Sequence, residues 1–227
     1  YASLAAWQAA SSQDANSVAT APVFTSTTDL HLVTGLSVAL NDLGTPIALV
    51  TTDIDGDVRS GTTPDMGADE FSVPLQDAGV TAIVLPPSLC GGSALVSATV
   101  TNFGLTPLTS VQINWSVDAV PQTPVNLGPI NIVTGASQTF PLGNYTFVVG
   151  QVYSIAAATT APNGGVDGIT GNDSFTAPSV TTGLTGTYTV GVGGNFTTLT
   201  AAATAFNSTS LCGPVEFSLI DASYPGE

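Results

Sequence analysis

Chemistry in this chain would have to come from carboxylates. The stretch Thr52–Phe71, TDIDGDVRSGTTPDMGADEF, holds Asp53, Asp55, Asp57, Asp65, Asp69 and Glu70, six of the sixteen acidic residues. It also holds Arg59, the one Lys or Arg in 227 residues. Asp53, Asp55 and Asp57 alternate, so on an extended strand they would share one face and could share a cation. With Asp65 and Asp69 they make a candidate metal set, and Ca2+ is the ion such oxygens suit. The opening Asp-x-Asp-Gly-Asp matches the start of a calcium loop, but Pro64 stands at the twelfth position, where an EF-hand carries Glu. The favoured expectation is structural: Arg59 forks onto Asp53 or Asp65 and closes a cap through charge-assisted bonds.

A second oxygen-rich set is Asp167, Asn172 and Asp173, in the loop from Asn163 to Ser174. Its spacing allows calcium, but Gly-Asn-Asp is ordinary turn chemistry, and a solvated turn is favoured there. His31 is the only histidine, on a short apolar run with no nucleophile motif nearby. Trp7 could stack on a sugar, whereas Trp115 shares its strand face with Val111 and Ile113 and reads as core. Cys90 and Cys212 lie in similar Leu-Cys-Gly contexts. Three arrangements are open to them: two buried thiols, a mutual disulfide, or pairing with a cysteine outside this stretch. No basic residue is spare for proton abstraction, so a non-enzymatic role is expected.

The composition bounds the class. A formal net charge of −15 without lysine excludes a nucleic-acid groove, which needs cations to displace counterions, and docking on anionic membrane surfaces. No run reaches the roughly 18 apolar residues of a membrane span, so no membrane insertion is expected. Apolar residues make up 43% and charged ones 7%, which speaks against disorder. With 24 Gly and 15 Pro, the remainder reads as short strands and tight turns. The chain begins at Tyr1 with no visible signal peptide, and is expected to be a mature piece of something longer.

The elements that would position these residues fall into three blocks. Residues 1–72 show a helical burst at Leu4–Ala10, then apolar runs of three or four residues at Leu30–Val33, Val38–Leu40 and Ile47–Val50, separated by turns. Runs so short suit coils that stack on one another. Val73–Pro87 reads as a connector. From Ala94 the period becomes two: Ala94–Thr101 and Val111–Val117 alternate, and shorter strands follow through Val152–Ala158, a pattern for an antiparallel sandwich. After a linker, Gly186–Gly191 opens a unit with a short helix over Thr200–Asn207, capped near Thr198 or Thr200, and a strand at Val215–Leu219.

Two resemblances attach to these blocks. SLAAWQAASSQDANSVATAPVFTSTTDLHLV, followed by DIDGDVR and PDMGADEF, resembles the closing coils of right-handed parallel β-helix proteins of the pectin-lyase-like kind. SALVSATVTNFGLTPLTSVQINWSVD, with its Thr101–Gly104 turn, resembles the opening of CARDB-type Ig-like domains. The order of elements after residue 181 resembles the N-terminal cap and first coil of another β-helix. The resemblances imply an all-β fold: β-helix coils and an acidic cap over 1–72, an Ig-like β-sandwich over 73–180, and a linker with the start of the next β-helix over 181–227. They imply a multidomain surface protein of secreted bacterial, Bacteroidota-like type, extracellular or at the cell surface. The expected role is a non-enzymatic structural or adhesive module, a tandem repeat or filament former whose partners are neighbouring copies or modules, glycans or cell surfaces. The alternative expectation is a fragment of a polysaccharide-processing or glycan-binding β-helix protein.

Overall fold

The structure is a computed structural model and describes residues 1–224. Its core is a two-sheet sandwich. One sheet has the order β1 (Ala78–Val84), β2 (Gly92–Asn102), β6 (Ser137–Phe147), all antiparallel. The other runs β4 (Val120–Pro121), β3 (Val111–Val117), β7 (Val152–Thr160), β8 (Ser174–Thr181), with β5 (Val125–Leu127) pairing the same edge of β3 as β4. In chain order this is an A-B-E sheet facing a C′-C-F-G sheet, the connectivity of an immunoglobulin-like sandwich.

The alternation in the sequence builds that core. Along β3, Val111, Ile113, Trp115 and Val117 are buried and the residues between them are half-buried. Along β2, Val96, Ala98 and Val100 are fully buried. Trp115 lies opposite Ala157 of β7 and donates its indole N–H to the Thr123 carbonyl at 3.0 Å. A Cβ at Gly143 of β6 would stand 3.3 Å from the indole ring, so glycine leaves room for it. Pro141 in β6 is tolerated because β6 is an edge strand, with no further partner to receive an N–H. At the start of β7, Tyr153 is buried and its hydroxyl accepts the Val148 N–H at 2.8 Å, a tyrosine corner in the E–F connection.

Residues expected to form a connector contain a strand instead. β1 crosses Val73–Pro87 with Ala78, Gly79 and Val80 buried in succession and a bulge between Val80 and Ala82. Its first half also meets the other sheet, where the Val80 N–H donates to the Asp173 carbonyl. Two-sided burial and a bulge erase the alternation that marks a half-buried strand.

The parallel β-helix coils expected over 1–72 do not form. The stretch contains one helix, α1 (Leu4–Ser11), two 3-10 turns at Thr34–Leu36 and Val38–Leu40, and the single antiparallel bridges Phe24–Leu32 and Thr52–Val58. Its apolar runs are too short and too often broken to ladder, and carboxylates rather than strands take up the backbone donors. Ser3 caps α1 by accepting the Ala6 N–H. The unit docks on the sandwich at the Thr101–Gly104 turn. Asn102 is 1% exposed and satisfied on every side: its amide donates to the Thr106 and Ile132 carbonyls and its oxygen accepts the Gly104 N–H. That bond set turns Phe103 against Gly35, which stands so close that any Cβ would overlap the Phe103 backbone.

At the far end, β9 (Leu184–Val190) pairs in parallel with β10 (Leu211–Leu219) through α2 (Leu199–Ser208). Thr198 caps α2 by accepting the Ala201 N–H at 3.0 Å. This is one parallel pair, not a stack of coils. Cys212 on β10 is joined by a disulfide to Cys90, in the β1–β2 connection, with their Cα atoms 5.3 Å apart.

Candidate functional site

Two carboxylate clusters occupy different parts of the fold. The first lies in the Thr52–Phe71 segment. Asp53–Asp57 is a tight turn rather than a strand: the Asp53 N–H donates to the Asp57 carbonyl, and Gly56 has φ +92°. Alternation therefore does not put three Asp side chains on one face. Asp53 instead folds back over its own turn, accepting the N–H groups of Asp55 and Asp57 on Oδ1 and of Glu70 on Oδ2. These bonds, the Glu70 N–H foremost, hold its carboxyl below the usual carboxylate range. Asp53, Asp55 and Asp69 can place one oxygen each within 4.8 Å of one another. Asp57 and Asp65 lie outside that group. Asp65 is 3% exposed and accepts the Asp42 and Phe71 N–H groups; burial pushes its carboxyl up.

Arg59 falls elsewhere than on Asp53 or the Asp65 carboxylate. Its Nε sits 3.5 Å from Glu70 Oε2, and its two terminal nitrogens donate to the carbonyls of Gly67 and Asp65. The Asp53 carboxylate accepts the Asp55, Asp57 and Glu70 N–H groups and the Asp65 carboxylate those of Asp42 and Phe71, while Glu70 faces the guanidinium. Glu70 also accepts the Ser60 and Asp65 N–H groups, so the cap is a backbone-clasping lock. His31 adds a second clasp, with Nδ1 2.5 Å from Asp29 and Nε2 2.8 Å from Asp55. Asp29 first, then Asp55, stabilises the imidazolium and raises its pKa to about 9. A cavity of about 810 Å³ adjoins the cluster, lined by Phe24, Leu30, His31, Leu40, Ile54 and Asp69 among others. Trp7 is elsewhere, its indole N–H tied to Asp14 and its ring edge-on to Tyr1.

The second cluster sits where β1 enters the sandwich, against the loop before β8. It brings Asp167, Asn172 and Asp173 together with Asp77, which sequence reasoning placed in a connector and passed over. Asp77 is 1% exposed and accepts the Asn172 amide at 3.0 Å. Asp167 accepts the Ala78 and Ile169 N–H groups, and the Asp173 carbonyl accepts the Thr159 N–H. Burial above all, with the neighbouring Asp167 and Asp173 charges, pushes the Asp77 carboxyl up to about 6. Burial raises Asp173 as well. Asn172 Oδ1 and Asp173 Oδ1 are shut off from solvent, and no donor among the described residues reaches either. The only sequence signal for Asp77 was a lone acid just before an apolar run.

No family model and no curated protein matches the chain. Among solved structures, it is similar to the CARDB domain of the PF1109 protein from Pyrococcus furiosus. The crystal structure of that domain, in complex with di-metal ions, aligns at 16% identity over 50% of this chain and 94% of that one, with a TM-score of 0.39. Its solution NMR structure aligns at 15% identity over 49% and 97%, with a TM-score of 0.35. Likeness at this level adds no weight of its own. The Ig-like assignment of the central unit rests on its strand order, the buried Trp115 and the Tyr153 corner.

Proposed function

We propose that the chain is a non-enzymatic structural module of a secreted, cell-surface or filament-forming protein, working by contact with neighbouring modules or copies of itself. The observation that carries this reading is the uneven distribution of the core. The contiguous buried apolar cluster lies wholly between Ala78 and Ala157. The preceding residues bury only Leu32 and Leu40 among their large apolar side chains. In the same unit Leu49 is 95% and Ile54 73% exposed, and beyond the sandwich Val192 is 83% and Leu219 54% exposed. Units with so little core of their own gain stability when neighbours stack on them. A contact that repeats head to tail without closing propagates into a filament. The lack of spare basic groups supports a role without catalysis. Sedimentation velocity across a concentration series tests the self-association. Concentration-dependent growth beyond the monomer is expected, abolished by Leu49→Asp with Ile54→Asp. A monomer at every concentration, also when mixed with its flanking modules, would sink the proposal.

A further inference from the structure

We propose that the cavity beside the His31 clasp binds a small organic cation with an apolar body, of the alkyl- or arylammonium class. The cavity measures about 810 Å³, within the range of small-molecule sites. Leu32 and Leu40 are its buried lining. Its other apolar walls include Phe24, Leu30, Ile54 and Met66, of which Phe24 is 44%, Leu30 63% and Ile54 73% exposed. Large apolar side chains left open around one concavity are surface that an apolar ligand covers.

The polar groups select the charge of that ligand. Asp29, Asp55 and Asp69 line the cavity together with His31. Asp29 Oδ1 and Asp55 Oδ2 hold the imidazole, and Asp69 Oδ2 accepts the Leu32 N–H. The second oxygen of each carboxylate has no protein donor among the described residues. Even with His31 charged, the three carboxylates leave an excess of negative charge, and neither Lys nor Arg lines the cavity. An anionic amphiphile is repelled there, and a sugar meets mostly aliphatic walls that leave its hydroxyls unpaired. An ammonium head donates to the open carboxylate oxygens while its apolar body covers the walls. The occupant comes from outside this sequence. Arg59, the one Lys or Arg, is held by Glu70, so no side chain among the described residues, in this copy or another, is free to supply the cation. Ligand binding here does not depend on the role proposed for the whole module.

Titration calorimetry and NMR of the His31 ring in the full chain, with hexyl- and octylammonium chloride below their micellar range as probes, test the site. The ring protons of His31, the single imidazole, should shift to saturation with one ligand per chain. Affinity should rise about fourfold for each added methylene and fall with salt. Octanoate should leave the ring unmoved. Leu30→Ser should weaken octylammonium binding about fivefold, and Asp55→Asn with Asp69→Asn about tenfold. An Asn oxygen at position 69 can still accept the Leu32 N–H. If that double variant fails to fold, Leu30→Ser decides, because the largely exposed Leu30 adds little to the core. A charge-matched pair away from the cavity, Asp118→Asn with Glu216→Gln, should bind like the wild type. Methylammonium binding as tightly as octylammonium, an affinity indifferent to Leu30→Ser, or an equal loss in the charge-matched pair would mean adsorption to surface charge and overturn the proposal. Octanoate binding as well as octylammonium, or a His31 ring that octylammonium leaves unmoved, overturns it too.

Discussion

His31 is the single imidazole in the chain, so its titration can be followed without assignment. Bridged by Asp29 and Asp55, its folded pKa lies near 9, above the unfolded value of 6.5. The stabilisation it lends is therefore complete below pH 6.5 and is lost as pH rises through about 9. NMR should show the ring proton titrating well above 6.5, and Asp55→Asn should bring the midpoint back toward 6.5. A wild-type midpoint at 6.5 would mean the bridge does not form. Arg59 makes the other residue-scale prediction. Arg59→Ala removes the ion pair to Glu70 and leaves the Gly67 and Asp65 carbonyls without their donor, a loss of about 2–3 kcal/mol for charge-assisted bonds at a largely buried side chain. Hydrogen exchange should speed up across residues 40–71 and stay slow in β2, β3 and β7. Uniform loosening of all three strands would show that the lock supports the sandwich as well.

At the scale of elements, what the sequence made legible was whatever one physical rule decided. Alternation located β2 and β3, because each presents one face to the core, and the short spacing between turn signals located β7. A helix signal and a threonine cap located α2. β1 was invisible, since burial on two sides and a bulge remove the alternation. With β1 went Asp77, whose burial depends on strand pairing and on a loop some 90 residues away in sequence. The Thr52–Phe71 segment failed differently: side-chain acceptors, not ladders, satisfy its backbone, and no periodicity reports that. The Tyr153 corner was likewise hidden, as one tyrosine near a strand start says nothing of the Val148 N–H it accepts. Tyr153→Phe keeps the ring packed against Phe147 and removes only the hydroxyl. It should cost about 1 kcal/mol, read as a lower denaturant midpoint at unchanged slope. No change would mean that water replaces the bond.

At the scale of the whole molecule, covalent and polar ties hold the β9–β10 pair to the sandwich. The Gly183 N–H donates to the Leu89 carbonyl at 2.7 Å, and the Thr182 hydroxyl donates into the turn around Val148 and Gln151. The Cys90–Cys212 bond, spanning 122 residues, adds the constraint that weak contacts of a small parallel pair cannot supply. Closing a loop of that length removes denatured-state entropy worth about 4–5 kcal/mol in the chain-entropy picture. Peptide mapping without reductant should find the linked Cys90 and Cys212 peptides. Replacing both cysteines with serine should lower the melting midpoint and open the connection between β9 and β10 to protease, while Trp115 fluorescence still reports a folded sandwich, because the core cluster contains neither cysteine. If protection of α2 and β10 is unchanged in that variant, the polar contacts at Thr182 and Gly183 suffice and the disulfide is not the clamp. If the sandwich melts with it, the two units fold as one, and the terminal pair belongs to the same cooperative body as the Ig-like core.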